Sequence, residues 1–212
     1  MWIIVTIVCL SLLTRFYTFY FHKHAYIANL FDLDKEWNFP TYYQTFTLLI
    51  SSLLFLLIAN IKKSQSDRFA KYWFMMGSIF LIMSIDENVQ LHEQTSQYFQ
   101  NFSPALKMMR FAWVLPAFIF LVGFGVAFLK FFLHFNNKYR KLFFLSAFIY
   151  VLGAWGIENI GGFFQYFYGQ DSAGYILLTN LEETFEMTGI AILIITELKY
   201  LKENGKIQFI LN

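Results

Sequence analysis

Long apolar runs along this chain are separated by short clusters of polar and charged residues. A helix needs roughly 20 mainly apolar residues to cross a hydrocarbon core. Six runs meet or approach that length: Trp2 to Tyr20, Tyr42 to Ile61, Ala70 to Asn88, Met109 to Phe131, Leu142 to Asn159 and Ile176 to Leu198. Several carry charges and are weaker by hydropathy than the first, second and fourth. The pattern predicts an all-α polytopic membrane protein, a six-transmembrane-helix bundle in one domain spanning residues 1–212. Asn38-Phe39-Pro40-Thr41 reads as a turn into the second helix, because proline is tolerated in a first turn where its missing N–H has no intrahelical partner. Asn136-Asn137 reads as another turn. Gly153 and Gly156 share a face suited to close helix packing, whereas the Gly161-Gly162 pair is expected to loosen or end the fifth helix.

Composition agrees with the pattern. Of 212 residues, 58% are apolar and 14% charged, where a soluble domain carries about a quarter charged residues. The first run has no basic amino-terminal region and no small-x-small cleavage site, so it reads as a retained helix and not as a signal peptide. Cys9 is the single cysteine, which rules out a disulfide framework within one chain. Trp37, Tyr42, Tyr43, Tyr98, Trp113, Tyr166, Tyr168 and Tyr175 fall at predicted helix edges, where amphipathic rings suit the headgroup layer.

Charge supplies an orientation. The first connection holds Lys23, Asp32, Asp34, Lys35 and Glu36 and is net acidic. Lys62, Lys63, Asp67, Arg68 and Lys71 make the second basic, Lys130, Lys138, Arg140 and Lys141 the fourth, and Lys199, Lys202 and Lys206 the tail. Basic short loops stay on the cytoplasmic side. Both termini are thus expected inside, in the inner plasma membrane of a bacterium, with the basic residues against anionic inner-leaflet lipid. Lys107 and Arg110 are the discordant pair.

The main functional signal is one of depth. Lys71 to Asp86 is 15 residues, about 22 Å of helix. Leu142 to Glu158 is 16 residues, about 24 Å. Glu186 and Glu182 lie 13 and 17 residues before Lys199, about 20 and 25 Å. Three predicted helices therefore carry carboxylates to one level in the outer part of the core. No arginine or lysine occurs between Phe74 and Glu93, Gly153 and Gly162, or Asn180 and Thr196. Packed like charges raise one another's pKa unless a cation holds them. A metal, shared protons or a wet vestibule would relieve them.

The expected ligand pool is Asp86, His92, Glu93, Glu158, Glu182 and Glu186, with Glu87 and Glu183 as candidate catalytic groups for proton transfer. Asp86 and Glu93 are seven residues apart and return to nearly one face. Glu182 with Glu186, and Glu183 with Glu186, are neighbouring pairs on the sixth helix. A set of carboxylates with one histidine suits a divalent metal ion such as iron, manganese or zinc better than copper. It resembles a carboxylate-rich di-metal bundle in residue types, although the Glu-x-x-His pair of those bundles is missing. Asp32, Asp34 and Glu36 alternate like the opening of a calcium loop. They lack its central glycine and its closing glutamate, so a loop cation site and a solvated charge run are both open.

Other classes find no motif. There is no P-loop, no dinucleotide fingerprint and no H-E-x-x-H, and nucleic acid is not an expected partner. His22 and His24 read as interface residues. The segments Phe31-Asp-Leu-Asp-Lys-Glu-Trp-Asn-Phe-Pro-Thr41, Ser84-Ile-Asp-Glu87 with His92-Glu93, Glu158, and Leu181-Glu-Glu-Thr-Phe-Glu-Met-Thr-Gly189 resemble a widespread group of small, poorly characterised bacterial multipass membrane proteins. That resemblance spans nearly the whole chain and implies Asp86, Glu87, His92, Glu93, Glu158, Glu182, Glu183 and Glu186 as signature positions. It implies no activity. The expectation is a metal-binding membrane protein, acting as an enzyme on a lipid or apolar substrate near the outer face. The alternative is a cation transporter or channel with an outer carboxylate-lined site, although the inner halves of the third and fifth segments offer no charged relay. Membrane lipid is the expected surrounding partner, and aromatic-rich helices leave room for a second copy or a partner subunit.

Overall fold

A computed structural model describes residues 1–21, 26–91, 94–95 and 114–204. Among these residues the regular structure is helical throughout. Six long helices are present: α1 (Trp2–Phe21), α2 (Phe39–Ser64), α3 (Ala70–Val89), α4 (Val114–Leu133), α5 (Asn137–Tyr168) and α6 (Ala173–Asn204). One short turn, Tyr26–Asn29, follows α1. By length and composition two of them, α2 and α5, are apolar and long enough to cross a membrane. The stretches Trp2–Thr18 and Phe118–Leu133 are shorter apolar helices. Helices α3 and α6 fall short of that test for a physical reason: the first ends in Asp86 and Glu87, and the second carries glutamates along its length.

Local chemistry fixes the helix ends. Asn38 caps α2, accepting the Thr41 N–H at 3.1 Å, with Pro40 in the first turn. The Asn38 amide also donates to the backbone carbonyls of Asp32 and Lys35, each at 2.7 Å, which folds the preceding loop back on itself. Asn136 caps α5 by accepting from the Tyr139 N–H. The Gly161-Gly162 pair does not end α5. Both glycines are buried within the helix, which continues to Tyr168 and stops at Gly169, whose φ of 83° only glycine adopts freely. The irregularity lies upstream, where Leu152–Ile157 winds as a π-helix.

Helices α2 and α3 form the closest pair. Ser52 is buried and donates to the Gly77 carbonyl at 2.7 Å, and Ser84 donates to the Thr45 carbonyl at 2.9 Å. Small and hydroxyl residues let helix backbones approach in this way. Helix α6 packs against α2 and α5. Gly189 allows the α5 approach, since a Cβ there would lie 2.8 Å from the Tyr150 backbone. Helix α1 runs beside α6. Ile4 and Ile7 pack with Met187, and eleven residues along from Ile4, Arg15 reaches Asp32 and Asp34.

The bundle has a basic end and an acidic end. At the basic end Trp73 is fully buried among Phe55, Phe131, Phe135, Phe143 and Tyr200. Lys138 pairs there with Glu203, joining the start of α5 to the end of α6. The Lys138 ammonium holds the Glu203 carboxyl below its ordinary value by donating a hydrogen bond to it. Outside the core, the bundle presents an apolar exterior that includes Phe46, Ile50 and Leu53 on α2, Phe74 and Ile82 on α3, Val122 and Val126 on α4, and Phe144 and Phe148 on α5.

Candidate functional site

Three helices, α3, α5 and α6, and the loop before α2 bring carboxylates to the acidic end. Gly153, in the π-helical part of α5, is in close contact with α6: a Cβ added to it would sit 2.8 Å from the Glu182 carbonyl and 3.0 Å from Glu186 Cγ. Any larger residue would hold the two helices apart at the level of the glutamates. Gly161, two turns later, lies beneath the Glu182 carboxylate, whose Oε2 would be 3.9 Å from its added Cβ. Gly156 has no such role, because the nearest side chain to it is Leu152 of its own helix.

The carboxylates interact across these elements. Glu182 feels the charges of Glu158 and Asp34, and Glu183 those of Glu186, Glu87, Glu182 and Glu36. Gln44 on α2 donates a hydrogen bond to Glu183 Oε2. One position along α2, Thr45 accepts from the Asn88 amide at 2.7 Å, next to Glu87. Gln44 and Glu87 therefore lie near Glu183, and Glu158 lies near Glu182. Glu158 is itself buried, at 6% exposure, on α5.

This convergence stops short of a ready-made metal site. Among the described residues, no three His, Cys, Asp or Glu side chains are gathered so as to hold a metal ion. Helical geometry gives the reason: successive residues turn by about 100°, so Glu183 is directed to Gln44 on α2 while Glu182 and Glu186 lie against α5. Of the expected ligands, Asp86, Glu158, Glu182 and Glu186 are described, whereas His92 and Glu93 lie outside the described residues.

The loop before α2 has a cation of its own. Arg15 Nε donates to Asp32 Oδ1 and its Nη2 to Asp34 Oδ2, both at 2.7 Å. The guanidinium thus occupies the two aspartates that resemble the start of a calcium loop, and Glu36 accepts instead from the Thr41 hydroxyl at 3.2 Å. Tyr175, at the start of α6, donates to Asp34 Oδ1 at 2.6 Å. This network fastens the loop over the acidic end, with Asp34 close enough to Glu182 for their charges to interact.

Two residues outside the expected pool matter here. Tyr150 lies within electrostatic reach of Glu186, Glu87, Glu183 and Asp86. It also lines an apolar cavity of about 220 Å³ between α3, α4, α5 and α6, together with Met76, Met83, Phe124, Ala154 and Trp155. Glu197 is fully buried at the basic half of α6, where the Ser51 hydroxyl donates to its Oε1 at 2.9 Å and its Oε2 has no hydrogen-bond partner among the described residues. A tyrosine and a glutamate in aromatic and apolar runs leave no periodic mark by which to single them out. Only the facing helices give them their surroundings.

No curated protein and no solved structure matches the chain. A family model described as a domain of unknown function, DUF8692, matches residues 2–199. With nearly its whole length covered, the chain belongs to that family.

Proposed function

We propose that this is a six-helix multipass protein of a bacterial inner membrane, with both termini on the basic side, that binds a divalent metal ion among its outer carboxylates. Iron, manganese and zinc suit such oxygen-rich donors. A bound metal would supply Lewis acidity toward an oxygen of a lipid or other apolar substrate or toward a bound water, and Glu87 or Glu183 would carry a proton. Asp86, Glu158, Glu182 and Glu186 are the ligands available on the described helices, and His92 and Glu93 belong to the same proposed set by sequence.

The observation that carries the reading is the meeting of Glu87, Glu158, Glu182, Glu183 and Glu186 at one level beside an apolar cavity. Carboxylates within a membrane bundle are costly and mark sites of function. The apolar exterior of α2 to α5 supports the membrane setting, because a monomeric soluble protein rarely exposes so continuous an apolar surface. Elemental analysis of detergent-purified protein, before and after chelation, tests the metal. Glu186→Gln is expected to lower the metal content and to abolish the stabilisation that metal confers. No stoichiometric metal, together with unchanged stability on chelation, would sink the reading.

One observation favours the alternative of a cation transporter. Glu197 puts a buried carboxyl eleven residues from Glu186 on the same helix, about 16 Å nearer the basic end, where the third and fifth helices supply none. In proteoliposomes, transport predicts cation flux that Glu186→Gln and Glu197→Gln both abolish. Metal-dependent turnover without flux favours the enzyme.

A further inference from the structure

We infer, building on the lipid-substrate reading above, that the cavity between α3, α4, α5 and α6 seats one hydrocarbon chain of a membrane amphiphile, and that Tyr150 positions its polar end toward the carboxylates. Three independent features support this assignment.

The first is the wall. The cavity of about 220 Å³ is lined by apolar and aromatic side chains from all four helices, with Ser146, Tyr150 and Trp155 as the polar-bearing exceptions. Ser146 already donates to the Gly189 carbonyl at 2.8 Å. Water has a share of about 30 Å³ in the liquid and needs two to four polar partners, so such a wall favours hydrocarbon over a water cluster.

The second is the way α4 is held. Among the described residues its backbone comes close to the other helices at few points, and aromatic side chains fasten it at two places. Toward the basic end, Phe131 stacks on Tyr72 with centroids 5.6 Å apart and meets Trp73 edge-on at 5.1 Å. Toward the acidic end, Phe118 stacks on Trp155 at 5.2 Å. Between these clasps α4 stands off from α3 and α5, and the cavity occupies the space. Phe120 and Ala147 both line it and are both exposed, which places its mouth on the apolar exterior between α4 and α5. Entry from that side is open to a chain lying in a bilayer and unfavourable for a polar solute.

The third feature is the polar end. Tyr150 belongs to the cavity wall and also lies within electrostatic reach of four carboxylates. Four residues further along α5, Ala154 lines the cavity while its neighbour Gly153 touches Glu182 and Glu186. The π-helical turn thus presents one face to the apolar space and the adjoining face to the glutamates. A molecule that fills the first and reaches the second has a hydrocarbon tail and an oxygen-bearing head, with Tyr150 at the junction. A π-turn at this junction fits the frequent occurrence of such turns at functional sites.

The test uses the full chain in vesicles of phosphatidylethanolamine and phosphatidylglycerol doped with a palmitoyl phospholipid bearing a diazirine at the chain end. After irradiation, adducts are mapped by mass spectrometry. Adducts on Met76, Met83 and Phe124 are expected to exceed those on the exterior residues Val126 and Phe144 several-fold. Ala147→Trp should remove the interior adducts and spare the exterior ones. If that variant fails to fold, Ala154→Leu is read in the same way. Tyr150→Phe should keep the interior adducts but shift them between Met83 and Met76, since the head is no longer held in register; an unchanged distribution would remove Tyr150 from the proposal. Interior labelling no stronger than exterior labelling, or labelling that survives in both filled variants, would overturn the chain seat. Metal content measured on the same samples keeps the two readings apart. Interior adducts without metal would leave this inference standing and remove the metal centre, whereas metal without interior adducts would do the reverse.

Discussion

At the basic end of the bundle Trp73 is sealed among five aromatic rings, whereas at the acidic end Glu87, Glu158, Glu182, Glu183 and Glu186 share one level. The first arrangement satisfies what folding requires. Aromatic side chains bury large apolar areas and add edge-to-face attraction beyond that burial. The second works against folding, because like charges repel and desolvation disfavours each of them. One end thus carries packing that favours folding and the other carries groups that oppose it, the kind of local conflict that is expected at functional sites.

The largest effect is expected at Trp73. Truncation in Trp73→Ala should destabilise the detergent-solubilised protein by about 3–5 kcal/mol while leaving the proposed metal binding in the surviving folded fraction intact, as read by thermal unfolding and elemental analysis. Equal loss of both would show that the two ends are one cooperative site. Gly153→Ala should cost roughly 1–3 kcal/mol by overpacking, because its Cβ would meet the Glu182 backbone carbonyl, which cannot swing aside. Unlike the tryptophan change, it should also weaken cation binding, since it parts α5 from α6 at Glu186.

Arg15→Gln sharpens the picture at the loop. Losing two charged hydrogen bonds should cost roughly 1.5–3 kcal/mol and raise the protease sensitivity of residues 30–38, with the Trp73 region unaffected in hydrogen exchange. The smallest effect is expected at Glu203. Its carboxyl is held below the ordinary 4.5 by the Lys138 hydrogen bond, so whatever the pair adds is fully present above that ordinary value and lost as pH falls through the depressed one. Glu203→Gln should therefore lower the unfolding temperature slightly at neutral pH and leave it equal to the parent in strong acid. A difference that persists in acid would mean that the interaction is not ionic.

Much of the helical layout is legible without coordinates. The caps at Asn38 and Asn136 have local causes, since each side chain reaches a backbone N–H three residues on. The run from Trp2 and the start of α3 at Ala70 follow from apolar length and a preceding charged turn. Gly161-Gly162 misleads, because a glycine pair inside a packed helix is stabilised by the neighbour it admits, here the Glu182 side chain. The depth of the carboxylates can be counted at a fixed rise per residue. Their directions cannot, because the side of α6 on which Glu183 meets Gln44 depends on how that helix is rotated against α2.

The sequence by itself determined an apolar helical chain with basic and acidic connections in alternation and glutamates at one distance from the basic ends, because rise per residue and charge are local properties. The tertiary structure alone decided that Arg15 would neutralise Asp32 and Asp34 from seventeen and nineteen residues away. It decided also that Tyr150 would stand between a cavity and the carboxylates, and that Glu197 would be buried against Ser51. Those outcomes depend on which helix faces meet, and a contact between distant segments is set by the packing of the whole bundle, not by the residues on either side of it.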